Sequence, residues 1–321
     1  MKTIRIKYLD WWNGFDPSQH LVNSILQKHF NVVESEIPDY VISSVYTKEA
    51  LNYDCIRLFI TPENFCPDFN LFDYAIGFEN LKYGDRYVMA PNYILNLKYQ
   101  DSIKKMKEKH LIGDMSHKSD FCSYVVSNGV GDEIRTRFFE ELCKYKKVNS
   151  GGTYQNNIGM PEGIPDKLDF QKKHRFSICF ENSSHDGYIT EKLMEGFAAQ
   201  TIPIYWGAHN VTDVFNKNAM VIVKDENDIS RAVEEIKAID NNYERYMEML
   251  RQPALVNSDY IETIYENLEQ FLIHIFSVPI GVAKRRPKSA TVLHYYRDPH
   301  NAALQSDVRT KMHGFFRGVF K

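Results

Sequence analysis

The sequence has little of what marks the specialised protein classes. Its 321 residues include 5 scattered cysteines, none in CxxC spacing, so neither a disulfide framework nor a zinc motif is predicted. With 16 glycines and 12 prolines, the chain is neither collagen-like nor of low complexity. Its nearly apolar runs, at 271–275 and 278–283, are far shorter than the roughly 18 residues that cross a membrane. We therefore expect a globular cytoplasmic protein with reduced thiols.

A strong excess of one charge is also absent, because the formal net charge is −3. This balance gives no indication of nucleic-acid binding. The charge is unevenly distributed, however, since residues 284–321 carry +7 and the rest of the chain therefore carries −10. Apolar residues recur in this basic tail at helix-like spacing. The tail is either a segment that lies on the anionic inner face of a membrane, a helix docked on the body, or a solvated extension.

Short apolar runs alternate with helical patterns along the rest of the chain. Strands are predicted at 3–8, 31–35, 40–45, 56–61, 74–78, 121–127, 176–180, 202–206 and 220–223. Helices are predicted at 18–28, 101–110, 132–144, 190–200, 227–238, 240–251 and 258–276. This alternation favours two α/β halves with parallel sheets, which we place at 1–116 and 117–283. A ligand crevice is expected between them, at the carboxyl ends of the strands.

One stretch, from Phe176 to Leu193, combines several features of an anion site. A predicted strand ends at Glu181, a polar loop follows, and Thr190 can cap a helix that begins at Glu191. The free N–H groups and the positive dipole end of such a helix suit a phosphate. A lysine in the first turn, Lys192, is unfavourable there unless an anion binds. An ordinary strand-to-helix connection with surface charges would have the same pattern.

The pattern FENSxxxxYxTEKL in this stretch, with TIPIYWG at 201–207, resembles the donor-binding signature of the α-1,3/1,4-fucosyltransferases, glycosyltransferase family 10. Residues 61–78 resemble the acceptor-domain motif of that family, and residues 121–135 resemble the start of its donor domain. The resemblance extends over about residues 56–250 and is nearest to the bacterial members. It implies a GT-B fold, which consists of two Rossmann-like domains facing across a cleft.

The same resemblance implies an activity and a general base. The expected reaction is inverting transfer of fucose from GDP-fucose to the 3-OH of N-acetylglucosamine in a galactosyl-N-acetylglucosamine acceptor, as in Lewis-type glycans. Glu63 matches the proposed base of the family, which takes the proton of the acceptor hydroxyl. Without the resemblance, Glu63 would be interpreted as a solvent-exposed residue in a turn. Asp73 and Glu79 are weaker candidates for the base.

The resemblance also implies which residues hold the donor. Arg135 and Lys192 match the positions that meet the diphosphate, and Asn182, Tyr188 and Glu191 match those around the nucleotide and fucose. Glu191 can either bind hydroxyl groups or offset positive charge in the transition state, so it is also a catalytic candidate. No DxD motif follows an apolar strand, and an obligate divalent metal is therefore not implied.

Two alternatives remain open from the sequence. The chain can be a GT-B transferase of another nucleotide sugar, or a non-catalytic glycan-binding protein on the same fold. An aromatic loop at residues 11–15 follows the first strand and faces the expected cleft. Its rings either stack on the acceptor sugar or form a hydrophobic plug.

Overall fold

A computed structural model describes residues 1–287 of the chain except Ile112, Asp114, Ser116 and His117. The first half forms a sheet of six parallel strands in the order β2-β1-β3-β4-β5-β6. These strands are β1 Thr3–Leu9, β2 Asn31–Glu34, β3 Tyr40–Ser43, β4 Ile56–Ile60, β5 Tyr74–Gly77 and β6 Tyr87–Met89. Strands β3 and β5 are buried along their whole length, as expected for parallel strands covered on both faces.

The second half forms a sheet of five parallel strands in the order β11-β10-β9-β7-β8. They are β7 Asp120–Tyr124, β8 Val148–Ser150, β9 His174–Phe180, β10 Ile202–Trp206 and β11 Val221–Ile222. The two sheets confirm the predicted α/β class. The strands β6 and β8 were not predicted, because three residues are too few to establish a periodicity.

Ten α-helices cover these sheets within the described residues. Those of the first half are α1 Leu21–His29, α2 Asn92–Leu95 and α3 Gln100–Lys107. The others are α4 Ile134–Cys143, α5 Lys167–Lys172, α6 Glu191–Ala198, α7 Ile229–Asp240, α8 Tyr243–Leu250, α9 Tyr260–Ser277 and α10 Ile280–Ala283. Helix α3 packs against α6, and one hydrophobic cluster extends through both halves, while the second half also has a cluster of its own. No helix in the described part of the chain is long and apolar enough to span a bilayer.

The last long helix, α9, lies on the first sheet although it follows the second sheet in sequence. The ring of Phe276 lies 4.3 Å from that of Tyr40, and Phe271 lies 6.1 Å from Tyr74. This packing differs from the prediction that residues 117–283 form one domain. Helical periodicity shows that α9 has an apolar face, but it does not show which sheet that face covers.

After α10 the chain is fastened to the first domain by three basic residues. Lys284 pairs with Asp54, Arg285 with Asp85, and Arg286 with Asp73. The sequence analysis assigned these three residues to the basic tail, but in the structure they are bound to the first domain. The rest of the predicted tail, residues 288–321, lies outside the described residues.

Asp73 is the buried centre of this attachment and is fully inaccessible to solvent. Its Oδ1 accepts the backbone N–H groups of Arg285 and Arg286, at 2.7 and 2.8 Å. Its Oδ2 accepts the N–H of Arg57 at 2.9 Å and the Nη1 of Arg286 at 2.5 Å. Since all these contacts are structural, Asp73 is not available as the general base, for which it was a weaker candidate.

We predict that Asp73→Ala lowers the free energy of unfolding by roughly 3–5 kcal/mol, because the guanidinium of Arg286 loses its buried counter-charge and keeps only the exposed Asp54. Urea denaturation monitored by circular dichroism measures the effect. Asp85→Ala is the matched control, because its ion pair with Arg285 is partly exposed and is worth about 1 kcal/mol or less. Equal losses in the two variants would contradict the buried-pair account.

Candidate active site

The donor-signature loop joins β9 to α6 and is organised by one buried carboxylate. Glu181, fully inaccessible to solvent, accepts hydrogen bonds from the N–H of Thr190 at 2.7 Å and from its hydroxyl at 2.6 Å. It also accepts the Nζ of Lys192 at 3.1 Å. The Thr190 hydroxyl in turn caps α6 by accepting the N–H of Lys192. The predicted strand, loop and capped helix are therefore all present.

Glu191 and Lys192 begin α6, and their charges act on each other. Burial favours the neutral form of Glu191, but the positive charges of Lys192 and Lys167 outweigh it and lower the pKa of this carboxyl. Burial likewise opposes the charge on Lys192, but Glu181 and Glu191 raise its pKa. Both residues are consequently ionised at neutral pH, and Lys192 shares its charge with Glu181.

Arg135 lies in the first turn of α4, and only 2% of its surface is exposed. Its guanidinium donates to the backbone oxygens of Asn128 and Val130 and to Oδ1 of Asn182 at 3.3 Å. Its Nε is buried without a hydrogen-bond partner, and no carboxylate pairs with it among the described residues. The structure thus joins two predicted donor residues, Arg135 and Asn182, around an uncompensated buried cation.

The first domain contributes Glu63, on the loop after β4. Its carboxylate is exposed and accepts a hydrogen bond from the hydroxyl of Tyr46 at 3.2 Å. Burial, with the nearby charge of Glu63, raises the pKa of Tyr46 to about 12, so this phenol stays protonated as a donor. The partial burial expected for a base is not present at Glu63 in this structure.

Tyr46 was not among the predicted site residues. Its backbone N–H donates to the carbonyl of Asp10 at 2.9 Å, and the buried carboxylate of Asp10 accepts the N–H of Glu49 at 2.7 Å. The loop that carries Tyr46 is thus tied to the end of β1. Nothing in the local sequence around Tyr46 distinguishes it, because its partner is 17 residues away.

The aromatic loop after β1 divides into two parts. Trp11 stacks on Phe15 at 3.9 Å and contacts the buried ring of His20. These three rings together form a hydrophobic plug. Trp12 is half-buried and lies 6.1 Å from the ring of Tyr46. Trp12, Tyr46 and Glu63 therefore form one continuous edge of the first domain.

The loops of the two domains meet directly. Asn64 donates to the hydroxyl of Ser183 at 2.7 Å, and the ring of Phe78 lies 5.2 Å from that of Tyr188. Gly187 has a φ of +80°, and a Cβ there would lie 2.6 Å from the carbonyl oxygen of Phe78. The carboxyl ends of both sheets thus line one cleft, as the sequence predicted.

Tyr188 is a buried phenol between the predicted base and the donor carboxylates. Burial raises its pKa, and the negative charges of Glu181, Glu63 and Glu191 add to the effect. Carboxylates of both domains therefore act on this one phenol. No hydrogen bond or ion pair joins Glu63 to Arg135 or Lys192 among the residues described.

A second polar cluster lies beside the cleft and was not predicted. Glu79 accepts the thiol of Cys66 at 2.9 Å and contacts Nε2 of His185 at 2.7 Å. The potential ligand atoms of the three side chains lie within 4.8 Å of one another. Sequence spacing gave no sign of this group, because His185 is more than 100 residues from the other two. Glu79, a weaker candidate for the base, is thus already engaged.

Comparisons with known proteins agree with this geometry. Residues 6–96 match the family model "Alpha-(1,3)-fucosyltransferase FucT N-terminal domain", and residues 115–266 match "Glycosyltransferase family 10 (fucosyltransferase) C-term". An "Alpha-(1,3)-fucosyltransferase FucT" of Helicobacter pylori is 32% identical over 83% of this chain, which spans 63% of that relative's length. A "GDP-fucose protein O-fucosyltransferase 3" of Xenopus tropicalis is 27% identical over 49% of this chain and 36% of its own.

Among solved structures, an α1,3-fucosyltransferase crystallised with GDP-fucose superimposes with a TM-score of 0.67. It is 26% identical, and the match covers 84% of this chain and 91% of that one. The two-sheet architecture and this match confirm the GT-B fold that the sequence predicted.

Proposed function

Since the chain belongs to glycosyltransferase family 10, we propose that it transfers fucose from GDP-fucose to a glycan hydroxyl with inversion at the anomeric carbon. The observation that carries the proposal is the loop from β9 to α6, where Asn182 accepts a hydrogen bond from Arg135 and the adjacent Glu181 holds the capped start of the helix. The match to a fucosyltransferase crystallised with GDP-fucose supports this choice of donor.

Arg135, Lys192 and the N-terminus of α6 offset the charge of the departing GDP. A guanidinium can donate to two phosphate oxygens at once, whereas an ammonium acts as a point charge. Arg135 is the stronger of the two cations, because it has no carboxylate partner in the described part of the chain. These local positive groups make an obligate divalent metal at the diphosphate unnecessary. Asn182, Tyr188 and Glu191 surround the nucleotide and the fucose.

Glu63 is the general base. Inversion requires that the acceptor hydroxyl attack the face of the fucose opposite to the GDP while its proton leaves. The hydrogen bond from Tyr46 orients the carboxylate, and an acceptor sugar over the exposed side chain would bury it and raise its affinity for the proton. Glu191, ionised on the donor side, can offset positive charge that develops on the fucose.

The acceptor is the 3-OH of N-acetylglucosamine in a galactosyl-N-acetylglucosamine unit of a Lewis-type glycan. The first domain, which carries Trp12, Tyr46 and Glu63, matches the N-terminal model of the α-(1,3)-fucosyltransferases. The half-buried ring of Trp12 offers an apolar face of the kind on which a pyranose ring stacks. Location in the cytoplasm, with the basic tail on the inner face of a membrane, stays a prediction from the sequence alone.

A transfer assay tests the proposed activity. With GDP-fucose and type 1 or type 2 disaccharides, we expect fucosylated product on type 2, with an α-1,3 linkage by product analysis. GDP should raise the thermal midpoint by mass action, and UDP should not. Stabilisation by UDP instead would indicate another nucleotide sugar, and glycan binding without GDP binding would indicate a non-catalytic protein. A peptide acceptor tests transfer to protein hydroxyl groups.

Removal of the base should separate chemistry from donor binding. We expect Glu63→Ala to lower kcat by about 10²- to 10⁴-fold while the Kd for GDP is unchanged, because a general base acts on the acceptor proton alone. Tyr46→Phe, which keeps the carboxylate but removes its hydrogen bond, should have a smaller effect. Isothermal titration with GDP and initial rates measure the two quantities. Near-normal turnover in Glu63→Ala would refute the assignment.

The donor cations should act on GDP binding. Arg135→Ala and Lys192→Ala are each expected to raise the Kd for GDP by about 10- to 100-fold, the usual worth of a charge-assisted hydrogen bond. Arg137→Ala is the matched control, because Arg137 is exposed on the same helix and pairs with Glu133 and Glu226. If all three variants, folded by circular dichroism, bind GDP alike, the diphosphate contacts lie elsewhere.

A further inference from the structure

The cluster of Cys66, Glu79 and His185 has no part in the proposed transfer reaction. The thiol and the carboxylate come from the first domain, on the loops after β4 and β5, and the imidazole comes from the donor-signature loop after β9. All three are at least partly accessible to solvent. The cluster therefore forms a polar link between the domains at the rim of the cleft.

The geometry does not fit a nucleophilic cysteine. An activated thiol requires a base such as histidine within hydrogen-bond reach of its sulfur. Here the thiol of Cys66 donates to the carboxylate of Glu79, and the imidazole of His185 contacts the same carboxylate oxygen. Glu79 thus lies between the other two groups, and neither activates the other.

The three groups do fit the ligands of a zinc ion. Thiolate, imidazole and carboxylate are the donor types that Zn²⁺ prefers, and a thiolate disfavours Mg²⁺ and Ca²⁺. Zinc bonds of 2.0–2.3 Å place tetrahedral ligand atoms roughly 3.3–3.8 Å apart. The observed hydrogen-bond distances are 2.7 and 2.9 Å, and all ligand atoms are within 4.8 Å. Small side-chain rotations would therefore open the cluster enough to admit the ion.

Access and a free coordination position are also available. A cavity of about 330 Å³, which Glu79 and His185 help to line, opens beside the cluster. Three protein ligands leave the fourth tetrahedral position to water from this cavity. His185 belongs to the second domain, whereas Cys66 and Glu79 belong to the first, so an ion bound by all three contacts both domains.

We propose that Cys66, Glu79 and His185 bind one Zn²⁺ ion, which fastens the acceptor and donor loops to each other beside the cleft. Cys66 is three residues from Glu63, and His185 is three residues from Tyr188. The ion thus restrains the loop that carries Glu63 and the loop that carries Tyr188, without contact with the diphosphate. This role is independent of the proposed transfer reaction, because metal binding can be measured without any sugar substrate.

Cobalt provides the test, because Co²⁺ replaces Zn²⁺ in such sites and reports its ligands by absorption. The purified chain, stripped with a chelator and titrated with Co²⁺, should bind one equivalent with visible bands of tetrahedral geometry and a thiolate charge-transfer band. Cys66→Ser should lose the charge-transfer band, although serine keeps a hydroxyl donor to Glu79. His185→Ala and Glu79→Gln should each weaken Co²⁺ and Zn²⁺ binding by at least about 10-fold.

Two matched control variants and a thermal-stability measurement complete the experiment. Cys143→Ser and His209→Ala alter a partly accessible cysteine and an exposed histidine outside the cluster, and they should leave both bands unchanged. Zn²⁺ should raise the thermal midpoint of the unmodified chain but not that of Cys66→Ser. A charge-transfer band that survives in Cys66→Ser, or unmodified chain that binds no tighter than a folded Cys66→Ser/His185→Ala variant, would overturn the proposal.

Discussion

The carboxylate of Glu181 is the interaction on which the donor side of the cleft depends. It lies at the end of a buried strand, and its two oxygens hold the backbone and hydroxyl of Thr190 and the ammonium of Lys192. Removing that carboxylate would leave the buried N–H of Thr190 without this acceptor and Lys192 without its ion-pair partner, both of which are costly. The start of α6, its capping residue and the first cation of the site are therefore fixed together by one side chain.

The cleft is built from loops that are each anchored to their own sheet. Asp10 fixes the loop of Tyr46 in the first domain, as Glu181 fixes the loop of Lys192 in the second. The loops themselves touch across the cleft at a few points, such as the hydrogen bond from Asn64 to Ser183, whereas the packing of α3 on α6 joins the two halves. Because each loop is anchored to its own sheet, its geometry does not depend on the few contacts that join the loops across the cleft.

The parts of the site that the sequence predicted are the local ones. The strand, loop and capped helix around Glu181 lie within 25 consecutive residues, so turn and capping preferences identify them. Tyr46 beside Glu63, Arg286 on Asp73, and His185 beside Cys66 were missed because each pairs residues from separate elements. Strand order brings Tyr46 and Glu63 together, the packing of the chain after α10 places Arg286 on Asp73, and the contact between the two halves places His185 beside Cys66. Periodicity specifies none of these arrangements.

If Arg135 and Lys192 bind the diphosphate as proposed, the charge of the chain explains why burial of these cations matters. Outside residues 284–321 the chain carries a formal charge of −10, which repels a diphosphate at long range. Solvent and salt screen that repulsion over about 8–10 Å, whereas a cation removed from water acts at nearly full strength on an anion in contact with it. Arg135 is a cation of this buried kind, since its exposed surface is only 2% and its guanidinium faces carbonyl and amide oxygens. Lys192 is ion-paired with Glu181, so it would attract a diphosphate less strongly than Arg135 and would mainly orient it. The two cations are therefore not interchangeable.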